Sequence, residues 1–176
     1  MFAQFLKPGD NQPRLGFVIA NQLIDLSIAA PSVPRDLLTL INQGESALNS
    51  AAQAAKSAPA SAHLALNAVQ WLMPISNPGK IICLGLNYAE HAKEGGNAPP
   101  TYPSFFLRVN TSLMAHEAPM VRPKVSDKLD YEAELAVIIG QRARHLTPAN
   151  ALQAVAGYSC FNDGSLRDYQ RKTTQW

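Results

Sequence analysis

Residues 130–139, Asp-Tyr-Glu-Ala-Glu-Leu-Ala-Val-Ile-Ile, constrain this chain more than any other segment, because the run closes on branched apolar residues and opens on paired acids. Such a run reads as a buried β-strand. Side chains alternate along a strand, so Glu132 and Glu134 project from one face, about 7 Å apart at the backbone. Two carboxylates that close repel each other, and leaving both ionised at the edge of a core is costly unless a cation lies between them. Asp163, at the end of the next apolar run, supplies a third carboxylate. An all-oxygen set of three suits Mg²⁺ or Mn²⁺ better than zinc. The alternative for the same spacing is a solvated strand face with two exposed glutamates.

A second constellation lies upstream. Lys80 to Asn87 reads as a strand that begins after the breaker Asn77-Pro78-Gly79. If residues 89 to 94 form a helical turn, His91 and Glu94 share a face, where the carboxylate can hold the ring and raise its basicity. Such a pair can activate water. An exposed helical His-Glu pair is the alternative.

With 176 residues and 47% hydrophobic content the chain can bury a core of one or two domains. Net charge is only +2, and the basic groups Arg142 with Arg144, and Arg167 with Arg171 and Lys172, are short and interrupted, which excludes a nucleic-acid patch. No stretch approaches 18 apolar residues, and the opening Met1 to Gly9 is too short in apolar length for a signal peptide, so a cytoplasmic protein is expected. Cys83 and Cys160 both fall in apolar runs and read as buried thiols in a reducing compartment.

Arg14–Ala20 and Gln22–Leu26 read as a hairpin about Asn21. Pro34 is expected to open a helix that Gly44 ends, and the alanine-rich stretch from Glu45 to Ala60 reads as a lightly packed surface helix or a flexible linker. Val69–Met73 reads as a strand, and Pro74 to Gly79 as a boundary. Thr147 with Pro148 is expected to open a helix to about Ala154, followed by a strand from Val155 to Phe161. Ser165 is expected to cap a further helix, with Asp168 three residues later as a weak capping-box partner, and with Arg167 and Gln170 on one face near its start. His63, His116 and His145 read as surface residues, and Tyr88, Tyr131 and Tyr158 as core or pocket wall.

Residues 80–94, Phe105-Phe106-Leu107-Arg108, Asp130 to Gly140, and Gly157-Tyr158 through Asn162-Asp163, Arg167-Asp168 and Gln170 closely resemble the fumarylacetoacetate hydrolase (FAH) family in order and spacing. Residues 1–75 resemble its variable N-terminal region more weakly, and residues 76–176 the N-terminal portion of its catalytic domain. The resemblance implies a β-rich α+β fold, an FAH-like mixed β-sandwich or β-roll with a small N-terminal α/β region, and with the C-terminal part of the fold absent from this chain. Carried over residue by residue, it makes Glu132, Glu134 and Asp163 ligands of Mg²⁺ or Mn²⁺, with Ca²⁺ as a substitute in vitro. It makes His91 and Glu94 the water-activating pair, and Arg167 and Gln170 the contacts to the substrate's carboxylate and keto oxygens. Leu84 stands in the region where some members carry a fourth metal-binding aspartate, which favours the smaller acylpyruvate hydrolases. The family pattern continues past Trp176 to a substrate-binding lysine, a position that Lys172 does not occupy, and to strands that complete the sheet.

The implied function is divalent-metal-dependent hydrolysis of a carbon-carbon bond in an acylpyruvate-like 2,4-diketo acid, in the catabolism of aromatic compounds. A homodimer acting on a small 2-oxo or diketo acid is implied, with no nucleic-acid or membrane partner. Decarboxylases and isomerases of the family share the metal and enolate chemistry. A non-catalytic metal-binding module is the alternative from another class.

Overall fold

The computed structural model describes the backbone of residues 1–94, 96, 98 and 100–173, and the side chains of these apart from His91 and Glu94. The first half of the chain runs β1 (Phe2–Leu6), β2 (Arg14–Ile19), β3 (Gln22–Asp25), α1 (Leu26–Ala29), α2 (Leu37–Asn42), α3 (Glu45–Lys56), β4 (His63–Ala65) and β5 (Gln70–Leu72). It continues through β6 (Ile81–Gly85), α4 (Ala89–Glu94), β7 (Ser104–Arg108), β8 (Leu129–Asp130), β9 (Ala133–Ile139), β10 (Val155–Asn162), β11 (Ser165–Leu166) and α5 (Arg167–Gln170). Among the described residues, strands that outnumber the helices give the β-rich α+β class. The chain forms two compact units: residues 1–75, 114–120 and 131–164 in the first, and residues 76–113, 121–130 and 165 onward in the second.

In the first unit an antiparallel five-stranded sheet has the order β4-β3-β2-β1-β5. Its β2–β3 hairpin turns at Ala20 and Asn21, both at positive φ (46° and 62°), the conformation that matches the twist of the flanking strands. Phe2 and Phe17 face each other across β1 and β2 with ring centroids 4.8 Å apart at 83°. Leu15, Ile24, Leu26, Leu37, Leu40 and Ile41 form the core, and α3 adds its buried Ala51 and Ala55, one turn apart on one face. Small side chains there let an otherwise polar, alanine-rich helix lie close to the core.

Helix α2 starts at Leu37 rather than at Pro34, because Asp36 caps it: the Thr39 N–H donates to the Asp36 carboxylate at 2.8 Å. Gly44, at φ 89°, turns the chain out of α2 and is also the residue from which α3 starts. The expected helix from Thr147 is instead a turn followed by a 3₁₀ segment (Ala151–Ala154). There Asn150 competes for the backbone, its side chain accepting from the Thr147 N–H at 2.7 Å.

The antiparallel β9–β10 ribbon also belongs to the first unit, where Ile138 and Ala156 pack against the core. Strand β9 is therefore half-buried rather than buried on both faces: Ala136 and Ile138 point inward, while Leu135 (61% exposed), Val137 and Ile139 point outward with Tyr158. In the second unit β6 pairs with β7 so that Ile82 faces Leu107 and Leu84 faces Phe105. All four are exposed, Leu107 by 70%, whereas Cys83 on the opposite side is buried. Among the described residues no helix is long and apolar enough to cross a membrane.

One charged residue lies at the centre of the first unit. Asp25, 0% exposed, caps α1 through the Ser27 N–H and hydroxyl (3.0 and 2.6 Å), while Lys7 and Arg14 approach its other oxygen at 2.7 and 3.1 Å. Burial pushes the Asp25 carboxyl up, but the hydrogen bonds from Lys7 and Ser27 outweigh burial and hold it below the usual aspartate range. The folded value thus lies below the unfolded one of about 3.9, so this stabilisation is complete above that pH and is lost as pH falls through the folded value. The urea midpoint of the chain is expected to drop below about pH 4. Asp25→Asn should be less stable at pH 7 yet show a flatter acid limb, and Asp25→Ala should cost about 3 to 5 kcal/mol, since two cations lose their buried partner.

Candidate functional site

The ladder between β9 and β10 sets Glu134 opposite Phe161 and Ala133 opposite Asn162. It continues one residue further, where the Asp163 N–H donates to the Glu132 carbonyl at 2.8 Å. Glu132, Glu134 and Asp163 consequently share one face, in cross-strand positions about 5 Å apart and diagonal positions about 7 to 8 Å apart. The Asn162 side chain closes the ladder's end by accepting from the Glu132 N–H at 3.1 Å. Asp163 is only 3% exposed, and both glutamates are half-buried.

The donors are all carboxylate oxygens, the kind that a hard divalent cation takes. The carboxylate ends themselves are not drawn together: among the described residues, no group of three or more His, Cys, Asp and Glu side chains is arranged so that it could hold a metal ion.

The second unit carries the remaining candidates. His91 and Glu94 occupy α4 three positions apart, which is one helical face, and their side chains lie outside the described residues. The chain enters α4 through Leu86 at φ 54°, a conformation that costs a branched residue energy and is held by its surroundings. Arg167 and Gln170 sit at the two ends of α5, again three apart.

Ser165 does not cap that helix. It pairs with Asp130 in the β11–β8 ladder, and α5 has no side-chain cap. Asp168, expected to answer Ser165, accepts from the Ser126 hydroxyl at 2.7 Å instead. The Arg167 guanidinium Nε lies 3.6 Å from the Asp130 carboxylate, and the Arg167 N–H donates to the Lys128 carbonyl at 3.0 Å. Lys172 stacks over the Tyr169 ring at 3.6 Å. Sequence reasoning missed Asp130 and Ser126. Asp130 stands two residues before Glu132 and offered a faint signal, whereas Ser126 meets its partner across 42 residues and offered none.

Further expectations are corrected. Tyr88, Tyr131 and Tyr158 are exposed and so are not core, and Cys160 is exposed on the outer face of β10, while Cys83 is buried. His63, His116 and His145 are exposed, as expected.

Residues 80–176 match the family of the fumarylacetoacetate (FAA) hydrolase C-terminal domain. The chain belongs to the fumarylacetoacetate hydrolase family. Within that family, it is 35% identical over 178 residues to the mitochondrial oxaloacetate tautomerase fahd2 of Xenopus laevis, a match covering 98% of this chain and 55% of the relative. A fumarylacetoacetate hydrolase from Exiguobacterium antarcticum shares its fold with a TM-score of 0.77 at 34% identity, over 99% of this chain and 59% of that one. Maleylpyruvate hydrolase from Sphingobium sp. SYK-6, solved with manganese(II) and pyruvate, superposes with a TM-score of 0.73 at 27% identity, over 94% of this chain and 59% of that one. The chain thus spans little more than half the length of these family members.

Asn162 supplies the test of the ladder's end. Asn162→Ala leaves the Glu132 N–H without its side-chain acceptor and is expected to lower stability by about 1 kcal/mol in chemical unfolding. Asn162→Asp, which keeps an acceptor oxygen, should lose less.

Proposed function

We propose that the protein containing this chain is a divalent-metal-dependent enzyme that acts on a small 2-oxo acid through its enolate, and that it hydrolyses the carbon-carbon bond of an acylpyruvate-like 2,4-diketo acid. The observation that carries the reading is the β9–β10 register, which sets Glu132, Glu134 and Asp163 on one face at the end of a ladder. The maleylpyruvate hydrolase with manganese(II) and pyruvate adds support, since it combines a divalent ion with a 2-oxo acid.

In this reading Glu132, Glu134 and Asp163 would hold Mg²⁺ or Mn²⁺. Such a cation supplies Lewis-acid stabilisation of negative charge on the substrate's oxygens. Arg167 offers a planar two-point grip to the substrate carboxylate, and Gln170 donates to the neighbouring keto oxygen. His91, oriented by Glu94, takes a proton from the water that adds to the distal carbonyl. The bond between that carbon and its neighbour then breaks, leaving an acid and the enolate of the 2-oxo acid, which a proton quenches.

A second reading is favoured by the name of the Xenopus relative: keto-enol tautomerisation of an oxaloacetate-like acid. It uses the same grip on the carboxylate and the same proton-carrying pair, with no bond cleavage. The wider proposal places residues 1–75 as a variable region before a catalytic domain that begins in residues 76–176, in a cytoplasmic homodimer serving aromatic-compound breakdown. The exposed apolar face of β6 and β7 supports association.

A substrate series on the full-length protein separates the readings. Release of pyruvate with a second acid identifies hydrolysis, whereas loss of enol absorbance at unchanged mass identifies tautomerisation. Alanine at Glu132, Glu134 or Asp163 is expected to weaken Mn²⁺ binding in calorimetric titration, and unchanged affinity in all three would remove the metal assignment. His91→Ala should keep metal affinity and lower turnover by roughly 10²- to 10⁴-fold.

A further inference from the structure

Helix α5 is too short to fix its own direction, and the second unit fixes it by other means. The Ser126 hydroxyl donates to the Asp168 carboxylate at 2.7 Å and accepts from the Lys128 N–H at 3.0 Å, so it is used in both senses. The Lys128 carbonyl accepts from the Arg167 N–H at 3.0 Å, and the Arg122 guanidinium donates to the Ser126 carbonyl. A closed hydrogen-bonded ring therefore joins residues 126–128 to residues 167–168. Ser126 itself is buried. At the far end of the arginine, Asp130 meets the guanidinium at Nε, 3.6 Å away.

We propose that Ser126 is a positioning residue, which through Asp168 aims the Arg167 guanidinium at the substrate carboxylate, with Asp130 as the direct second hold. The proposal rests on Arg167 binding that carboxylate. Only a hydroxyl can donate to a carboxylate and accept from a backbone N–H at one point, so Ala breaks both links while Thr preserves them. The Ser126 hydrogen bond also holds the Asp168 carboxyl below the usual aspartate range. The partners of its hydroxyl lie on the two segments that carry Arg167 and Lys128.

Steady-state kinetics of the full-length enzyme on its 2-oxo acid substrate tests this, with Mn²⁺ titration and thermal unfolding run on the same samples. Ser126→Ala is expected to raise KM by about tenfold, the factor associated with one hydrogen bond to a charged group, while kcat changes less and Mn²⁺ affinity stays as it was. Ser126→Thr should return KM to within about twofold of the parent. Equal KM in the Ala variant and the parent overturns the proposal. So does a Thr variant as impaired as Ala, because that would mark a packing role instead. Arg167→Lys separates the underlying reading: raised KM there with unchanged KM in Ser126→Ala refutes only the positioning role, whereas unchanged KM in Arg167→Lys refutes the carboxylate grip and the positioning role together.

Discussion

The antiparallel pairing of β9 with β10 is the interaction on which the placement of the first unit's acidic residues depends. Its inner face, through Ile138 and Ala156, docks the ribbon onto the N-terminal core. The same register continues to the rung at which Glu132 meets Asp163. Because the side-chain period of a strand is two, a slip of one residue would turn Ile138 outward and move the carboxylates to the other face. Core packing and placement of the acids are thus two consequences of one register.

The second unit solves a different problem. A four-residue helix has no interior hydrogen-bond ladder to speak of, so α5 takes its orientation from the loop before β8. Two ladder rungs, one backbone bond and one serine-carboxylate bond hold it. That concentration of polar links around Arg167 is hard to explain by stability alone, since exposed pairs such as Arg167 with Asp130 contribute little. The proposed grip of Arg167 on a planar carboxylate would call for such links.

The apolar faces of the two ribbons have another meaning. Leu107, Phe105, Ile82 and Leu84 form a contiguous exposed face, and Leu135, Val137 and Ile139 form a second. Exposed apolar faces of this kind mark surfaces for protein, membrane or ligand contact. The chain spans 55 to 59% of the length of the relatives described above. A strand can read as buried from its composition alone and still show one open face, which is how β9 misled the sequence analysis.

Much of the architecture was legible because it is written locally. The β2–β3 hairpin followed from two apolar runs about Asn21, α3 from its alanines, and β6, β9 and β10 from runs of branched residues. The acidic pair at Glu132 and Glu134 was legible for the same reason, since alternation along one strand needs no tertiary information. What was not legible depended on partners distant in sequence: Asp168 binds Ser126 rather than its neighbour Ser165, Asn150 redirects the segment after Thr147, and Tyr88, Tyr131 and Tyr158 are exposed. Sequence alone determined several of the elements and the face on which two carboxylates lie, because these follow from periodicity, and it pointed to the family through a resemblance carried by motifs. Only the tertiary structure decided that Asp163 stands beside Glu132 and that α5 is held by Ser126, because both are hydrogen bonds between segments that only a completed fold brings together.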